Sequence, residues 1–386
     1  MGGVVVGKEK IWTLSYADDM VMVARTEEEM REMLKTLEKY LINKNLELNV
    51  NKSKMVEFRK GGGRTKETDF KWKEENIEQV KEYTYLGYTF QKNNGPEIHI
   101  RERCKKAGIA MRQVWGIGKR LFENDFERRI MLYDYLVKSV LFYGVEVWGW
   151  REHEKIEAIH DKFIRWTLEL DRCTPGYLVR EETKREMMRI DSGNRALKYE
   201  IKKRENGGKF IRACFIEMDK EKKEGKWIKG REEYFKRNGW SVEEGIRRCK
   251  SKENKMIKKL RDRDLEVQKQ DQGNKIDSSQ YNRRYKDIIE GKLPEYLKKK
   301  GNKGSQKIRA RLRCGNEELQ NRYWTKEEKR KCRICGKEEE TLEHMGRRCM
   351  QEIRTDVNIR TLLKTEKGEE WMRRIKKIRG ERNKNK

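Results

Sequence analysis

Ile11-Trp12-Thr13-Leu14-Ser15-Tyr16-Ala17-Asp18-Asp19-Met20-Val21-Met22-Val23-Ala24 is the stretch on which the fold turns. Two apolar runs flank Tyr16-Ala17-Asp18-Asp19. Each run reads as a short strand, and strands this close in sequence make a hairpin with two carboxylates at its tip. Adjacent carboxylates repel, so a pair at the rim of an apolar hairpin calls for a counter-charge. Hard Mg²⁺ takes carboxylate oxygens and is commonly shared with substrate phosphates. Two such ions can clamp the attacking and leaving oxygens of a phosphoryl transfer. Asp is also an ordinary turn residue, and the dipeptide alone leaves both readings open.

Working outward, Thr26 with Glu29 three residues on reads as a capping box. Met30, Met33, Leu34, Leu37 and Leu41 follow at helical spacing, predicting a helix over 27–45 with one apolar face on a sheet. The alternation of Leu46, Leu48 and Val50 predicts a short extended piece, and Met55 to Phe58 a strand. Lys52 and Lys54 lie between them, able to face a triphosphate or a nucleic-acid backbone, or to sit in a solvated loop. Gly61-Gly62-Gly63 reads as a hairpin connection. Ile77 to Val80 and Tyr83-Thr84-Tyr85-Leu86-Gly87-Tyr88-Thr89-Phe90 complete the β-rich part, which Pro96 closes.

The order Tyr16-Ala17-Asp18-Asp19, amphipathic helix, Leu48-Asn49-Val50-Asn51-Lys52-Ser53-Lys54, Tyr85-Leu86-Gly87 resembles the reverse transcriptases of non-LTR (LINE-type) retrotransposons. There these are the last palm motifs. The resemblance implies that Asp18 and Asp19 are catalytic carboxylates holding Mg²⁺ or Mn²⁺. It implies that Tyr16 and Ala17 line the nucleotide pocket or template path, that Lys52 lies near the incoming dNTP, and that Leu86 and Gly87 help hold the primer end. Only 15 residues precede Tyr16, whereas in that family the fingers, earlier palm strands and another catalytic aspartate lie upstream of this motif. The expectation is therefore a C-terminal portion, truncated before the palm's first catalytic motif. Such a chain is inactive alone, because two-metal transfer needs the missing carboxylate. The alternative is a non-enzymatic nucleic-acid-binding remnant.

Composition supports a charged, helix-rich chain. Of 386 residues, 35% are hydrophobic and 42% charged, yet 10 Trp, 15 Tyr and 10 Phe argue for several modest cores against simple disorder. Three prolines and abundant Lys, Glu and Arg favour helix. The net charge is +29, but residues 1–100 hold 17 basic and 17 acidic side chains, so the whole excess lies in 101–386. That is the footprint of a polyanion, most simply RNA template and DNA primer or target DNA, with a membrane surface the weaker alternative. No signal peptide and no membrane-length apolar run is present. An intracellular setting, nucleus or cytoplasm, follows, and there clustered cysteines read as metal ligands.

Residues 98–170 read as helical, with apolar series at Ile98–Ile117, Phe126–Tyr143 and Ile156–Leu168 and the segment Tyr143-Gly144-Val145-Glu146-Val147-Trp148 between the last two. Similar helices form the thumb in LINE-type elements. Their Arg and Lys can meet phosphates without reading bases, predicting sequence-independent, salt-sensitive binding. His153 and His160 lack partner spacing and read as structural. From 171 to 304, runs such as Lys202-Lys203-Arg204, Lys220 to Lys223 and Lys298 to Lys300 alternate with Trp227, Tyr234, Phe235 and Trp240. These aromatics either stack on unpaired bases or anchor small helical hairpins. Asp271-Gln272-Gly273-Asn274 and Ser278-Ser279 read as a linker.

Cys332-Arg333-Ile334-Cys335, then His344 and Cys349, give C-x₂-C-x₈-H-x₄-C. Three thiolates and one imidazole suit structural Zn²⁺. Glu338 to Glu340 are expected to begin a return helix carrying His344, and Arg309-Ala310-Arg311-Leu312-Arg313 with Tyr323-Trp324 to offer basic and stacking groups. LINE-type proteins carry a similar knuckle. The 37 residues after Cys349 are too few for the endonuclease that follows it in one branch. The fold expected is α+β, mostly helical: a partial palm sheet (1–97), a helical thumb (98–170), a basic connector (171–304), a zinc knuckle region (305–350) and a basic tail (351–386).

Overall fold

A computed structural model describes residues 2–59, 68–220, 225–251, 253–298, 304–322 and 324–384. The connection expected at Gly61-Gly62-Gly63, the basic residues Lys222, Lys223, Lys299 and Lys300, and Tyr323 lie outside these residues.

The first ninety residues build their sheets from near neighbours. Strand β1 (Val4–Val6) pairs with β2 (Glu9–Ile11), and β3 (Thr13–Tyr16) pairs antiparallel with β4 (Asp19–Met22). Strand β5 (Lys54–Met55) runs parallel to β7 (Glu75–Gln79), whose other edge takes β6 (Phe70–Trp72). A last hairpin joins β8 (Glu82–Tyr85) and β9 (Tyr88–Gln91). Helix α1 (Glu27–Asn43) opens as its sequence predicts: Thr26 Oγ1 accepts the Glu29 N–H at 3.2 Å. The Glu29 carboxylate reaches back to the Arg25 N–H at 3.0 Å. Its apolar stripe buries Leu34 against Phe70, Trp72 and Ile77, with Met22, Leu48, Val50 and Met55 packed around them. Residues 46–50 form no strand, because Asn49 turns the chain: its Oδ1 accepts the Lys52 N–H at 3.1 Å and its carbonyl the Ser53 N–H at 3.1 Å. The strand expected over 55–58 shrinks to Lys54–Met55.

Two compact units make up the chain: Met1–Glu102, Tyr143–Arg151 and Ser192–Leu260 in one, Arg103–Phe142, Glu152–Asp191 and Arg261–Lys386 in the other. In the first unit a second core gathers Trp150, Leu197, Ile201, Tyr234, Phe235 and Leu260, with Trp227 and Trp240 against it. The interspersed aromatics of this region are therefore anchors, and Trp150 meets Tyr234 edge-on at 5.4 Å. Burial, not base stacking, explains them.

The second unit holds those parts of the expected helical series that lie within 103–142 and 152–170, with one irregularity, while Tyr143–Arg151 belongs to the first. Phe126–Leu132 and Lys138–Leu141 are α-helical, but Tyr133–Val137 between them winds as a π-helix. The linker expected at Asp271–Asn274 lies inside the helix Glu253–Asp277. Buried glutamines hold that helix: Gln268 accepts the Met187 N–H at 2.7 Å, and Gln272 accepts from Arg180 Nε at 3.3 Å. An interior Gly such as Gly273 costs about 1 kcal/mol relative to Ala, too little to break it. Elsewhere in this unit Glu182, fully buried, accepts from Tyr285 Oη at 2.8 Å, from Tyr296 Oη and from Arg313 Nε at 2.6 Å. Among the described residues no helix is long and apolar enough to cross a membrane.

Candidate functional site

The β3–β4 hairpin places its carboxylates where the sequence puts them. Tyr16 pairs with Asp19, leaving Ala17 and Asp18 as the connection. Ala17 takes φ +52, a left-handed conformation costing an alanine about 1 kcal/mol. Tyr16 is 65% exposed, and both aspartates are exposed. Met22 ties the hairpin to the α1 core. The carboxylates stand free to take a cation, but the described residues bring no third His, Cys, Asp or Glu to them.

Lys52 is exposed on the turn after Val50. Its backbone carbonyl accepts from Tyr83 Oη at 3.3 Å, which fastens that turn to β8. Lys54 is not available in the same way, since its ammonium pairs with Glu78 at 2.6 Å. Leu86 and Gly87 form the two-residue tip of the β8–β9 hairpin, at φ +47 and +75. That geometry belongs to a type I′ turn, whose twist matches the flanking strands. Among the described residues no hydrogen bond or ion pair joins Asp18 or Asp19 to Lys52; Leu48, Val50 and Met22 share one core beneath them.

Residues 5–90 match the family model for reverse transcriptase (RNA-dependent DNA polymerase). That segment is similar to reverse transcriptases. The match spans all the strands from β2 to β8 and reaches into β9. The chain is also 26% identical over 192 residues to a putative uncharacterized transposon-derived protein of Caenorhabditis elegans, covering 48% of this chain and 64% of that relative. No solved structure matches the chain.

Outside the matched segment, Cys332, Cys335, His344 and Cys349 converge, with their ligand atoms all within 4.8 Å of one another. Cys332 Sγ and Cys349 Sγ are 3.7 Å apart, the edge of a tetrahedron of about 2.3 Å Zn–S bonds. Cys335 Sγ and His344 Nε2 are 3.1 Å apart. The first pair sits on a tight turn: Gly336, at φ +71, donates its N–H to the Cys332 carbonyl at 2.8 Å. His344 Nδ1 meets the Glu338 carboxylate at 3.2 Å, a contact that leaves Nε2 free to ligate. Burial raises the Cys332 thiol and pushes Cys349 up to about 12. At Cys335 burial is outweighed by the N–H groups of Lys337 and Glu338 and by His344, and the thiol falls to about 7. The donor set is soft, closed and preformed, which suits zinc.

The elements around these ligands differ from expectation. Glu338 to Glu340 begin no helix, because Glu339 bridges to Lys331 as an extended pair. His344 rides instead on a π-helical turn, His344–Arg348. The arginines before the knuckle are spent internally: Arg311 on Glu317 and Asp171, Arg313 on Glu182, and Arg309 on the Lys364 carbonyl. Trp324 is half-exposed. His160 is buried beside Tyr133, and burial, with Arg185, Lys138 and Arg180 nearby, drives its pKa well below the usual range. A cavity of about 890 Å³ beside the knuckle is lined by Arg284, Glu318, Arg330 and Glu339 among others. These charges pair with one another and select no ligand.

Sequence reasoning missed two supporting groups. Glu338 lies six residues before His344, and a carboxylate that near a ligand histidine is a readable signal. Glu340 gives none. It is buried between Arg333 and Arg379, at 2.5 and 3.1 Å, and only the fold brings Arg379 there.

Proposed function

We propose that this chain is part of the RNA-directed DNA polymerase of a non-LTR (LINE-type) retrotransposon, with Asp18 and Asp19 as two of its metal-site carboxylates. The observation that carries the reading is the exposed Tyr16-Ala17-Asp18-Asp19 hairpin inside the matched segment 5–90. Asp18 and Asp19 would hold Mg²⁺ or Mn²⁺, which would supply Lewis-acid charge neutralisation for phosphoryl transfer. Asp18 and Asp19 would supply oxygens, Tyr16 and Ala17 would border the nucleotide, and Lys52 would face the dNTP phosphates. Leu86 and Gly87 would hold the primer end. Residues 1–97 then act as palm, 98–170 as thumb, and the rest as a basic connector and tail around a knuckle holding Zn²⁺.

Two carboxylates alone hold a catalytic ion poorly, and the described residues bring no third ligand to them. Purified chain is therefore expected to bind template–primer without extending it. Primer extension on an RNA template checks this: dNTP incorporation by the wild type that Asp18→Ala abolishes would overturn the expectation of inactivity and leave the polymerase assignment standing. Failure to bind any nucleic acid would overturn the assignment itself. For the knuckle, metal analysis after purification under reducing conditions should find one zinc per chain, and none after Cys332→Ser with Cys349→Ser.

A second reading rests on the charge distribution. With the whole excess in residues 101–386, the chain can bind nucleic acid without chemistry. Under that reading Asp18→Ala changes nothing measurable, including metal-dependent protection of the hairpin.

A further inference from the structure

Tyr143 lies in the segment that the polymerase reading gives to the thumb, yet its side chain is committed to the β8–β9 tip. The residue is 45% exposed, but the hydroxyl turns back and donates to the Leu86 carbonyl at 2.5 Å. Gly87 lies directly beneath: a Cβ there would stand 3.0 Å from Tyr143 Oη. The Tyr143 backbone is fixed as firmly. Its carbonyl meets His99 Nε2 at 2.9 Å and accepts from Trp148 Nε1 at 3.2 Å. His99 in turn accepts the Thr89 N–H on Nδ1 at 3.2 Å and stacks on Tyr88 at 4.1 Å. Since Nδ1 accepts, Nε2 carries the proton and donates to Tyr143. Gly144, at φ +71, lets the chain turn at this point, and a side chain there would strike the Tyr88 ring. The result is a closed ring of contacts from the tip through Tyr143 and His99 back to β9.

We propose that Tyr143 is a positioning residue for the primer-holding turn, fixing the Leu86-Gly87 peptide so that its outer face meets the primer 3′ end. This rests on the assignment of Leu86 and Gly87 as primer-holding residues. A leucine at φ +47 sits in a sparsely populated conformation that persists where its surroundings fix it. The hydrogen bond from the Tyr143 phenol is one of those constraints. Truncating it leaves the hairpin ladder intact and loosens only the tip.

The test compares the full wild-type chain with Tyr143→Phe by fluorescence anisotropy, on an RNA–DNA duplex with a recessed primer 3′ end and on a blunt duplex of the same sequence. The wild type should prefer the recessed end. Tyr143→Phe should lose about three- to tenfold in affinity for that end, with blunt-duplex affinity and melting temperature unchanged. Replacing Tyr143 by 4-aminophenylalanine, which keeps a para donor, should restore the preference. A Tyr143→Phe chain that keeps the wild-type preference overturns the positioning role alone. A wild type with no preference overturns the primer-holding assignment and this role with it. If the Phe variant binds both duplexes more weakly and melts earlier, and the amino variant does not recover, Tyr143 merely supports the fold and the proposal fails.

Discussion

Glu157 shows what burial does to a single group. Its carboxylate accepts the N–H of Met188 at 3.1 Å and of Arg189 at 2.9 Å. Burial nevertheless lifts its pKa to about 7, those bonds opposing. Because the folded value lies above the unfolded one, the group's stabilising contribution is complete below about pH 4.3 and is lost as pH rises through 7. The gap in unfolding free energy between wild type and Glu157→Gln should therefore shrink by roughly 3 kcal/mol from pH 4.5 to 8. Urea titrations at several pH values check this, and parallel curves would refute it. Gly87 makes the complementary case, where the backbone decides. Its φ of +75 and the 3.0 Å approach of Tyr143 mean that Gly87→Ala should cost about 1–3 kcal/mol, read as a lowered urea midpoint.

At the scale of elements, the knuckle and the helix Glu366–Lys384 are one structure. Arg379 of that helix donates to Glu317 at 3.2 Å and pairs with Glu340 at 3.1 Å, and Glu340 also holds Arg333, between the first two cysteines. Trp371 donates to the Ile353 carbonyl at 2.7 Å, just past the last cysteine. Metal removal should therefore loosen more than four ligands. On chelation, amides of His344–Arg348 and of residues 366–379 should gain hydrogen exchange together. If the knuckle amides alone respond, the coupling is absent. Elements such as α1 and the Cys-x₂-Cys turn were legible in the sequence because caps, apolar spacing and ligand spacing all lie within a few residues. So were the two hairpins, whose tips carry their own turn chemistry. The helix through Asp271–Asn274 was not, since its support comes from Arg180 and Met187, and no local pattern records a partner some ninety residues away. The arginines of 309–313 misled for the same reason: a basic run looks solvent-facing until Glu182, Glu317 and Asp171 are placed beside it.

For the whole molecule, charge sets behaviour. All of the +29 excess lies beyond residue 100, while the matched segment 5–90 is near neutral. Binding to duplexes of any sequence should weaken steeply with salt, by about 10³ to 10⁵ between 50 and 200 mM if six to ten phosphates are contacted. Asp18→Ala and Asp19→Ala should leave that slope unchanged. A flat salt response would show that the basic side chains are engaged internally, as Arg309, Arg311 and Arg313 are. The buried Glu182 adds a constraint in time. Its carboxylate needs Tyr285, Tyr296 and Arg313, and Arg313 is 131 residues downstream. At a synthesis rate of about 5–20 residues per second, the nascent chain carries that carboxylate without its guanidinium for roughly 7 to 26 seconds. During that interval the second unit cannot close around Glu182, since Glu182 and Arg313 belong to the same compact unit.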